Sequence, residues 1–299
     1  KEVQVTVVVE KEGEKVVETI VVTATPEPPT PEPVVPTEKQ EGGTLNIWQP
    51  NGWPQTSWLH LSDWESHYAI GPMAEYLFRI GENLELIPEL AESYEVSDDG
   101  LTYTLHLRED VKWHDGEPFT AEDVKYTYTS FAEKDKVPLA GIRYGKTVKD
   151  LLNYQKGEAT EVTGIQIVDD YTVEFILDSP DASLPSLLWS YFVIPMMPKH
   201  KLETLDREQM LKGTADYWYT APVGTGPYKF VQYVPAQYIE YERNEDYWRE
   251  TAGPERVFLK IADPSVATVM LETGELDFMV RLDASEAARL SESETVDVL

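Results

Sequence analysis

Histidines and carboxylates are the residues of this sequence whose types are suited to chemistry. His60 and His67 lie seven residues apart, but a helix that begins near Glu65 does not include both. We therefore find no tight pair of metal ligands and expect no metal site. Acidic pairs such as Asp98 and Asp99 arise readily by chance among 54 Asp and Glu residues, and they suit turns. Because no specific motif indicates catalysis, we expect neither an enzyme nor a cofactor.

Glycine and cysteine patterns give equally little support to catalysis. The Gly-Thr-Gly-Pro stretch at residues 224–227 superficially resembles a phosphate-binding loop, but it lacks the Gly-Lys-Ser/Thr that would follow. It also precedes a predicted strand, so we interpret it as a tight turn. The absence of cysteine excludes disulfides and thiolate nucleophiles.

The aromatic residues are more informative. Four tryptophans, at positions 48, 53, 58 and 64, fall within seventeen residues around a polar loop. Aromatic surface beside hydrogen-bonding groups is typical of a small-molecule site, although Trp48 is expected to be core. The candidate ligand-binding residues are Asn51, Trp53, Thr56, Trp58, Trp189, Tyr191, Trp218 and Tyr219. For the last four, lining a cleft and packing a domain remain equal alternatives.

Charge and composition limit the classes of partner. The chain has 299 residues with 25 Lys and Arg against 54 Asp and Glu, a formal net charge of −29. Nucleic acid is therefore not expected as a partner, because phosphate binding needs clustered basic residues. At 41% hydrophobic the chain can bury a core, and no apolar run reaches the length of about 18 residues that predicts a membrane span.

The pattern of the chain from Gly42 onward predicts a mixed α/β fold. Thr120 and Asp123 form a predicted capping box at the start of a helix. Alternation and turn residues predict strands, and apolar residues at helical spacing predict helices. The expected strands are 44–48, 93–96, 101–107, 164–168, 171–177, 228–234, 237–242, 257–261 and 276–280, and the other expected helices are 65–80 and 266–272.

Residues 1–40 differ from the rest of the chain. Val alternates with Gln and Thr over positions 3–7, a strand-like period, and six prolines follow between positions 26 and 36. Because proline fixes φ and removes an amide donor, we expect a proline-rich disordered tether over residues 1–40. It serves as a stalk that holds a domain away from an anchor, or is merely a disordered tail.

The order of the motifs resembles the extracellular solute-binding proteins of the oligopeptide, dipeptide and nickel type, family 5, which serve ABC importers. The strongest match runs through the hairpin and the helix that follows it, at residues 91–93, 97–108 and 111–124. Further matches follow in the family's order at residues 170–173, 195–198, 224–228, 242–244, 247–248 and 274–277.

The resemblance implies a periplasmic-binding-protein-like fold of two lobes that close on a ligand by hinge motion. It predicts lobe I over residues 42–80 and 176–260, an inserted small domain over 81–175, and the start of lobe II over 261–299. Family members are considerably longer than this chain, so the resemblance also implies that the second lobe is largely missing.

The function implied by the resemblance is that of a substrate-binding subunit of an ABC importer. It would capture a small solute, in the first instance a peptide, and deliver it to ABC permease subunits in the membrane. We expect a monomer on the extracellular face of the membrane or in the periplasm, lipid-anchored through a residue upstream of Lys1. Oligosaccharides and nickel chelates are alternative ligands within the family. A stalked adhesion or interaction module and, more weakly, a carbohydrate hydrolase are alternatives outside it.

Overall fold

The computed structural model describes residues 2–11, 14–23, 42–54, 57–61, 63–133, 146–188, 195–250, 253–293 and 295–298. The chain divides into two units, Lys1–Lys39 and Gln40–Leu299. The strands are β1 Glu2–Lys11, β2 Glu14–Thr23, β3 Thr44–Gln49, β4 Phe78–Ile80, β5 Leu86–Pro88, β6 Ala91–Val96, β7 Thr102–Leu107, β8 Ile165–Asp169, β9 Thr172–Ile176, β10 Tyr228–Val234, β11 Tyr238–Arg243 and β12 Arg256–Ile261. The α-helices are α1 Trp64–Ile70, α2 Ala121–Phe131, α3 Leu151–Lys156, α4 Leu184–Leu188, α5 Lys199–Leu202, α6 Arg207–Lys212, α7 Tyr217–Thr220, α8 Pro264–Glu272 and α9 Ala284–Leu290.

The first unit contains an antiparallel pair, β1–β2, with a register that runs from Glu2 opposite Thr23 to Lys11 opposite Glu14. Residues 2–23 therefore depart from the disordered tether that the sequence predicts over 1–40. Dense β-branched residues in both ten-residue runs favour extended backbone, which accounts for the strands. The proline-rich stretch lies outside the described residues, so its role as a spacer stays a prediction.

Two four-stranded sheets organise the second unit. The first has the order β10-β11-β12-β3, in which only the β12–β3 pair is parallel. The second has the order β6-β7-β9-β8 and is antiparallel throughout. A short hairpin, β4–β5, precedes the second sheet in the chain. None of the helices in the described part of the chain is long and apolar enough to cross a bilayer.

Local sequence signals explain the second sheet and the helix beside it. The Asp99 carboxylate accepts hydrogen bonds from the Ser97 hydroxyl and the Leu101 N–H, which closes the β6–β7 turn. The alternate residues Tyr103, Leu105 and Leu107 of β7 are buried, as the alternation predicts. The α2 helix begins with the predicted capping box, which confirms this helix start.

Two further sequence predictions, both in the second unit, differ from the structure. The helix predicted over 65–80 is α1, which ends at Ile70, because Gly71 and Pro72 follow it and residues 72–73 instead accept hydrogen bonds from the amides of Tyr228 and Gly226. The strand predicted over 276–280 is reduced to a single parallel bridge between Phe278 and Ile47.

Most buried apolar side chains of the described residues join one core that includes residues from both sheets, α1 and α2. A second, small cluster consists of Trp48, Ala267 and Leu276 and lies apart from it. Trp48 is 5% exposed, so the expectation that this indole is core is confirmed.

Candidate ligand-binding site

Parallel strands end together at one edge of the first sheet. β12 pairs in parallel with β3. On its other side, β3 pairs in parallel with the bridge residue Phe278, whose carbonyl oxygen accepts the Trp48 amide at 2.9 Å. The carboxyl ends of these three segments therefore lie at the same edge, where side chains from distant parts of the sequence come together.

The helices that follow β3 and β12 pack on opposite faces of the sheet. Ile47 of β3 packs against the main core, which contains Ala69 and Ile70 of α1. The next residue, Trp48, points to the other face and joins the cluster that contains Ala267 of α8. Neighbouring strands whose connections leave on opposite faces form a topological switch point, and ligands of α/β sheets bind in the crevice outside such carboxyl ends.

The loop after β3 is held in place at this edge. The Gln49 side-chain amide donates to the carbonyl oxygens of Gly52 and Glu65, both at 2.7 Å, which ties the loop to the start of α1. Asn51 is exposed and has a positive φ of 57°. Asparagine tolerates this left-handed conformation because its short side chain bonds locally. The loop therefore presents the Asn51 side chain outward from a fixed backbone.

Three of the predicted indoles are buried behind this loop. Trp53 is 4% exposed and packs against the rings of Phe230 and Tyr233, with centroids 6.1 Å and 5.9 Å away. Trp58 and Trp218 are buried with their ring centroids 6.3 Å apart. Their N–H groups and that of Trp53 have no hydrogen-bond acceptor among the described residues. In this conformation the three indoles belong to the main core.

The other predicted residues are distributed differently. Tyr219 is 39% exposed, and its hydroxyl donates a hydrogen bond to Asp216. Thr56, Trp189 and Tyr191 lie outside the described residues. Ligand contact by any of the eight predicted residues stays a prediction.

A cationic and aromatic surface that the sequence analysis did not identify lies at the same edge. Trp64 and Tyr68 of α1 stack with their ring centroids 6.4 Å apart, and the Arg281 guanidinium carbon lies 5.2 Å and 5.7 Å from the two ring centroids. The spacing of four residues along a helix indicates the aromatic pair. No sequence signal places Arg281 against it, because more than 200 residues separate them.

A carboxyl pair is formed by Glu75, which is buried, and Glu89, which is partly buried. Glu75 accepts hydrogen bonds from the Tyr247 hydroxyl at 2.7 Å and the Trp248 indole N–H at 3.0 Å. Burial raises the pKa of Glu75. Burial and the nearby Glu75 charge raise the pKa of Glu89 to about 7, and its carboxylate accepts the Tyr76 amide at 3.0 Å. We interpret this pair as a structural connection between the chain near residue 75 and the loop after β11.

A partly buried histidine, His114, fixes the Gly-Thr-Gly-Pro turn. Its Nδ1 accepts the Gly224 amide at 3.2 Å, and its Nε2 lies 2.9 Å from the Gly226 carbonyl oxygen. Since Nδ1 accepts, Nε2 carries the proton and donates. Burial lowers the pKa of His114 to about 4. The neutral imidazole therefore acts as a brace, which agrees with the interpretation of residues 224–227 as a tight turn.

Comparison with known proteins identifies the family. The model of the bacterial extracellular solute-binding proteins, family 5 Middle, matches residues 85–298. The chain belongs to this family. The family 5 resemblance that the sequence motifs indicate is therefore confirmed, and the family's description places its members outside the cell.

Relatives of this family 5 protein are named for different ligands. The dipeptide-binding protein of Escherichia coli (strain K12) is 30% identical over 231 residues, which cover 74% of this chain and 41% of that protein. Heme-binding protein A of Haemophilus influenzae is 29% identical over 225 residues, 72% of this chain and 39% of that protein. The chain thus spans about two fifths of the length of these curated relatives.

Solved structures confirm the fold of this family 5 protein. NikZ from Campylobacter jejuni in complex with Ni(L-His) superposes with a TM-score of 0.68 at 29% identity, covering 84% of this chain and 45% of NikZ. DppA from Helicobacter pylori in complex with the peptide STSA gives a TM-score of 0.70 at 26% identity, and the match covers 86% of this chain and 50% of DppA. The mixed α/β fold is that of the periplasmic binding proteins.

Proposed function

We propose that this family 5 protein is the substrate-binding subunit of an ABC importer and that it binds a peptide at the carboxyl edge of β3 and β12. The observation that carries the proposal is the switch point, where a fixed loop presents Asn51 beyond two parallel strands whose helices leave on opposite faces. A binding subunit needs no chemistry of its own, and the edge offers hydrogen bonds, aromatic surface and the Arg281 guanidinium to a ligand.

We assign complementary roles to the loop residues. Asn51 exchanges water for a directed hydrogen bond to the ligand backbone. Trp53 and Trp58 form the floor under the loop, where burial of their rings keeps the backbone in one conformation. Ligand contact by Thr56, Trp189 and Tyr191, which lie outside the described residues, stays a prediction from the sequence. Closure over the ligand then shifts the equilibrium between open and closed forms by the ligand's differential affinity.

Delivery to permease subunits and attachment through a lipidated residue upstream of Lys1 belong to the same proposal. Both rest on family membership. A peptide ligand is supported by the Escherichia coli relative, which is named for dipeptides, and by DppA, which was solved with a bound peptide. NikZ was instead solved with a nickel chelate, so the ligand class is the part to test first.

The test measures thermal stabilisation of the complete protein by four probes: the peptide Ser-Thr-Ser-Ala, the nickel–histidine complex, cellotetraose and hemin. A specific ligand at about 100 times its Kd adds about 2.7 kcal/mol to the free energy of unfolding. Stabilisation by the peptide supports the proposal. Stabilisation by another probe without any response to the peptide contradicts the peptide assignment and indicates that probe's class.

The matched variants are Asn51→Gly and Leu84→Gly. Glycine adopts the left-handed backbone of either position without strain, so each variant removes a side chain and leaves the turn intact. Leu84 is 82% exposed on the turn between β4 and β5. We expect about a fivefold or larger loss of peptide affinity for N51G, from one lost hydrogen bond, and none for L84G.

A further inference from the structure

Arg281 is held against an aromatic pair at the edge of the proposed site. Its guanidinium carbon lies 5.2 Å from the Trp64 ring centroid and 5.7 Å from that of Tyr68. Trp64 is 47% exposed, and Arg281 is exposed as well. A guanidinium that stacks on a ring uses its face and leaves its planar N–H edge available for hydrogen bonds.

The donors of Arg281 have no acidic partner in the described part of the chain. Among the described residues no carboxylate forms an ion pair with it, although the chain carries more than twice as many acidic as basic residues. Arg289, on the helix that follows, gives the contrast. It binds Glu272 at 2.6 Å and Glu286 at 2.8 Å. Arg281 is thus a preorganised cation whose hydrogen-bonding edge is not used by the described part of the protein.

The backbone around Arg281 places it at the switch point. Phe278, three residues earlier, pairs with β3. On the other side, the Glu65 carbonyl next to Trp64 accepts the Gln49 amide at the end of β3. Arg281 itself has a φ of 61°, a left-handed conformation that is costly for a long side chain. Both partners of the contact are therefore anchored to the strand whose carboxyl end opens into the crevice.

We propose that Arg281 binds a carboxylate group of the ligand, with Trp64 and Tyr68 holding the guanidinium in place and packing against the adjoining apolar part of the ligand. The two parallel N–H groups of a guanidinium match the two oxygens of a carboxylate. The ligand class is a small molecule with a single free carboxylate, such as a peptide with a free C-terminus. This inference rests on the proposed function, because it assigns a ligand group to the same crevice.

The experiment uses two matched pairs of probes with the complete protein. The peptide pair is tetra-alanine with a free C-terminus and its C-terminal amide, and the sugar pair is galacturonic acid and galactose. Calorimetry gives the affinity for each. We expect the acid of the bound pair to bind about tenfold or more tightly than its neutral partner, the range of a charge-assisted hydrogen bond.

Three variants locate the origin of that preference. Arg281→Gln removes the charge and is expected to abolish the preference for the acid while retaining binding of the neutral probe. Arg281→Lys keeps the charge but lacks the two parallel N–H groups of the guanidinium, so it is expected to retain part of the preference. It also keeps the test valid if R281Q does not fold. Arg289→Gln is the control, because Arg289 already has carboxylate partners; it is expected to leave the preference unchanged.

The outcomes separate this inference from the peptide assignment. Equal affinity of the wild type for acid and amide, or a preference that persists in R281Q, overturns the role of Arg281 and leaves peptide binding standing. A preference for galacturonic acid that depends on Arg281, with no binding of either peptide, supports Arg281 and overturns the peptide assignment. Binding of no probe counts against both.

Discussion

The carboxyl pair of Glu75 and Glu89 predicts an unusual dependence of stability on pH, which Glu89→Gln tests. The Glu89 carboxyl is largely enclosed and accepts the Tyr76 amide at 3.0 Å. Burial, followed by the charge of Glu75, raises its pKa from 4.5 to about 7. Glutamine has nearly the same shape as the protonated acid and never ionises. The substitution therefore fixes position 89 in the form that the fold prefers.

The sign and size of the stability difference between E89Q and the wild type follow from the linkage between proton binding and folding. Between pH 4.5 and about 7 the folded protein holds a proton at Glu89 that the unfolded chain releases. Stability from this group is therefore fully present below pH 4.5 and is lost as the pH rises through about 7. The pKa difference corresponds to at most about 3 kcal/mol. At high pH we expect E89Q to be more stable than the wild type by up to that amount, and at low pH the two should be equal.

Urea unfolding followed by tryptophan fluorescence, from about pH 4 to about pH 8.5, measures the difference directly. Glu82→Gln is the control, because Glu82 is an exposed glutamate on the turn between β4 and β5. It should leave the pH profile unchanged. A free-energy difference between E89Q and the wild type that is the same at both ends of the pH range, or a lower stability of E89Q above pH 7, would contradict the raised pKa of Glu89.

Two further predictions concern the brace at residues 224–226. The pKa of His114 is lowered to about 4, while that of the unfolded residue is near 6.5, so stability from its neutral form is lost as the pH falls through this window. In urea unfolding, the free energy of unfolding of His114→Gln in the E89Q background should therefore fall less steeply with decreasing pH than that of E89Q alone. Gly224→Ala should lower the free energy of unfolding by about 3 kcal/mol or more, because the added Cβ would overlap the Met73 carbonyl oxygen. Gly116→Ala is the control: its Cβ would meet open space at a positive φ, so it should cost about 1 kcal/mol in the same assay.

Features encoded by neighbouring residues were predictable from the sequence. The turn at Asp99, the alternation along β7 and the capping box of Thr120 and Asp123 each involve residues within a few positions of one another. In such cases the residues that form the contact are neighbours in the sequence, so the sequence pattern is enough to predict the geometry. The overlong helix prediction fails for a related reason: apolar spacing continued past Ile70, but Gly71 and Pro72 are stronger local determinants than periodicity.

The site was less predictable because its parts meet through tertiary packing. Aromatic content predicts a ligand site at the loop after β3, but composition does not distinguish an indole that lines a cleft from one that packs in the core. Trp53 and Trp58 are buried. Contacts such as that between Tyr247 and Glu75 join residues 172 positions apart, and the position of Arg281 depends on the bridge at Phe278. Such partners follow from strand order, which a single sequence does not specify.

A carboxylate ligand is compatible with a chain of net charge −29 because the two effects act over different distances. Repulsion from dispersed surface carboxylates is screened over about 8 Å at physiological ionic strength. The formal charge also overstates this repulsion, since burial raises the pKa values of Glu75 and Glu89 and leaves Glu89 near half ionisation at neutral pH. Contact with Arg281 acts at hydrogen-bond range, where screening is weak. Acidity therefore disfavours polyanions, whereas a peptide with a free terminus at each end carries one charge for Arg281 and an ammonium group that the acidic surroundings attract.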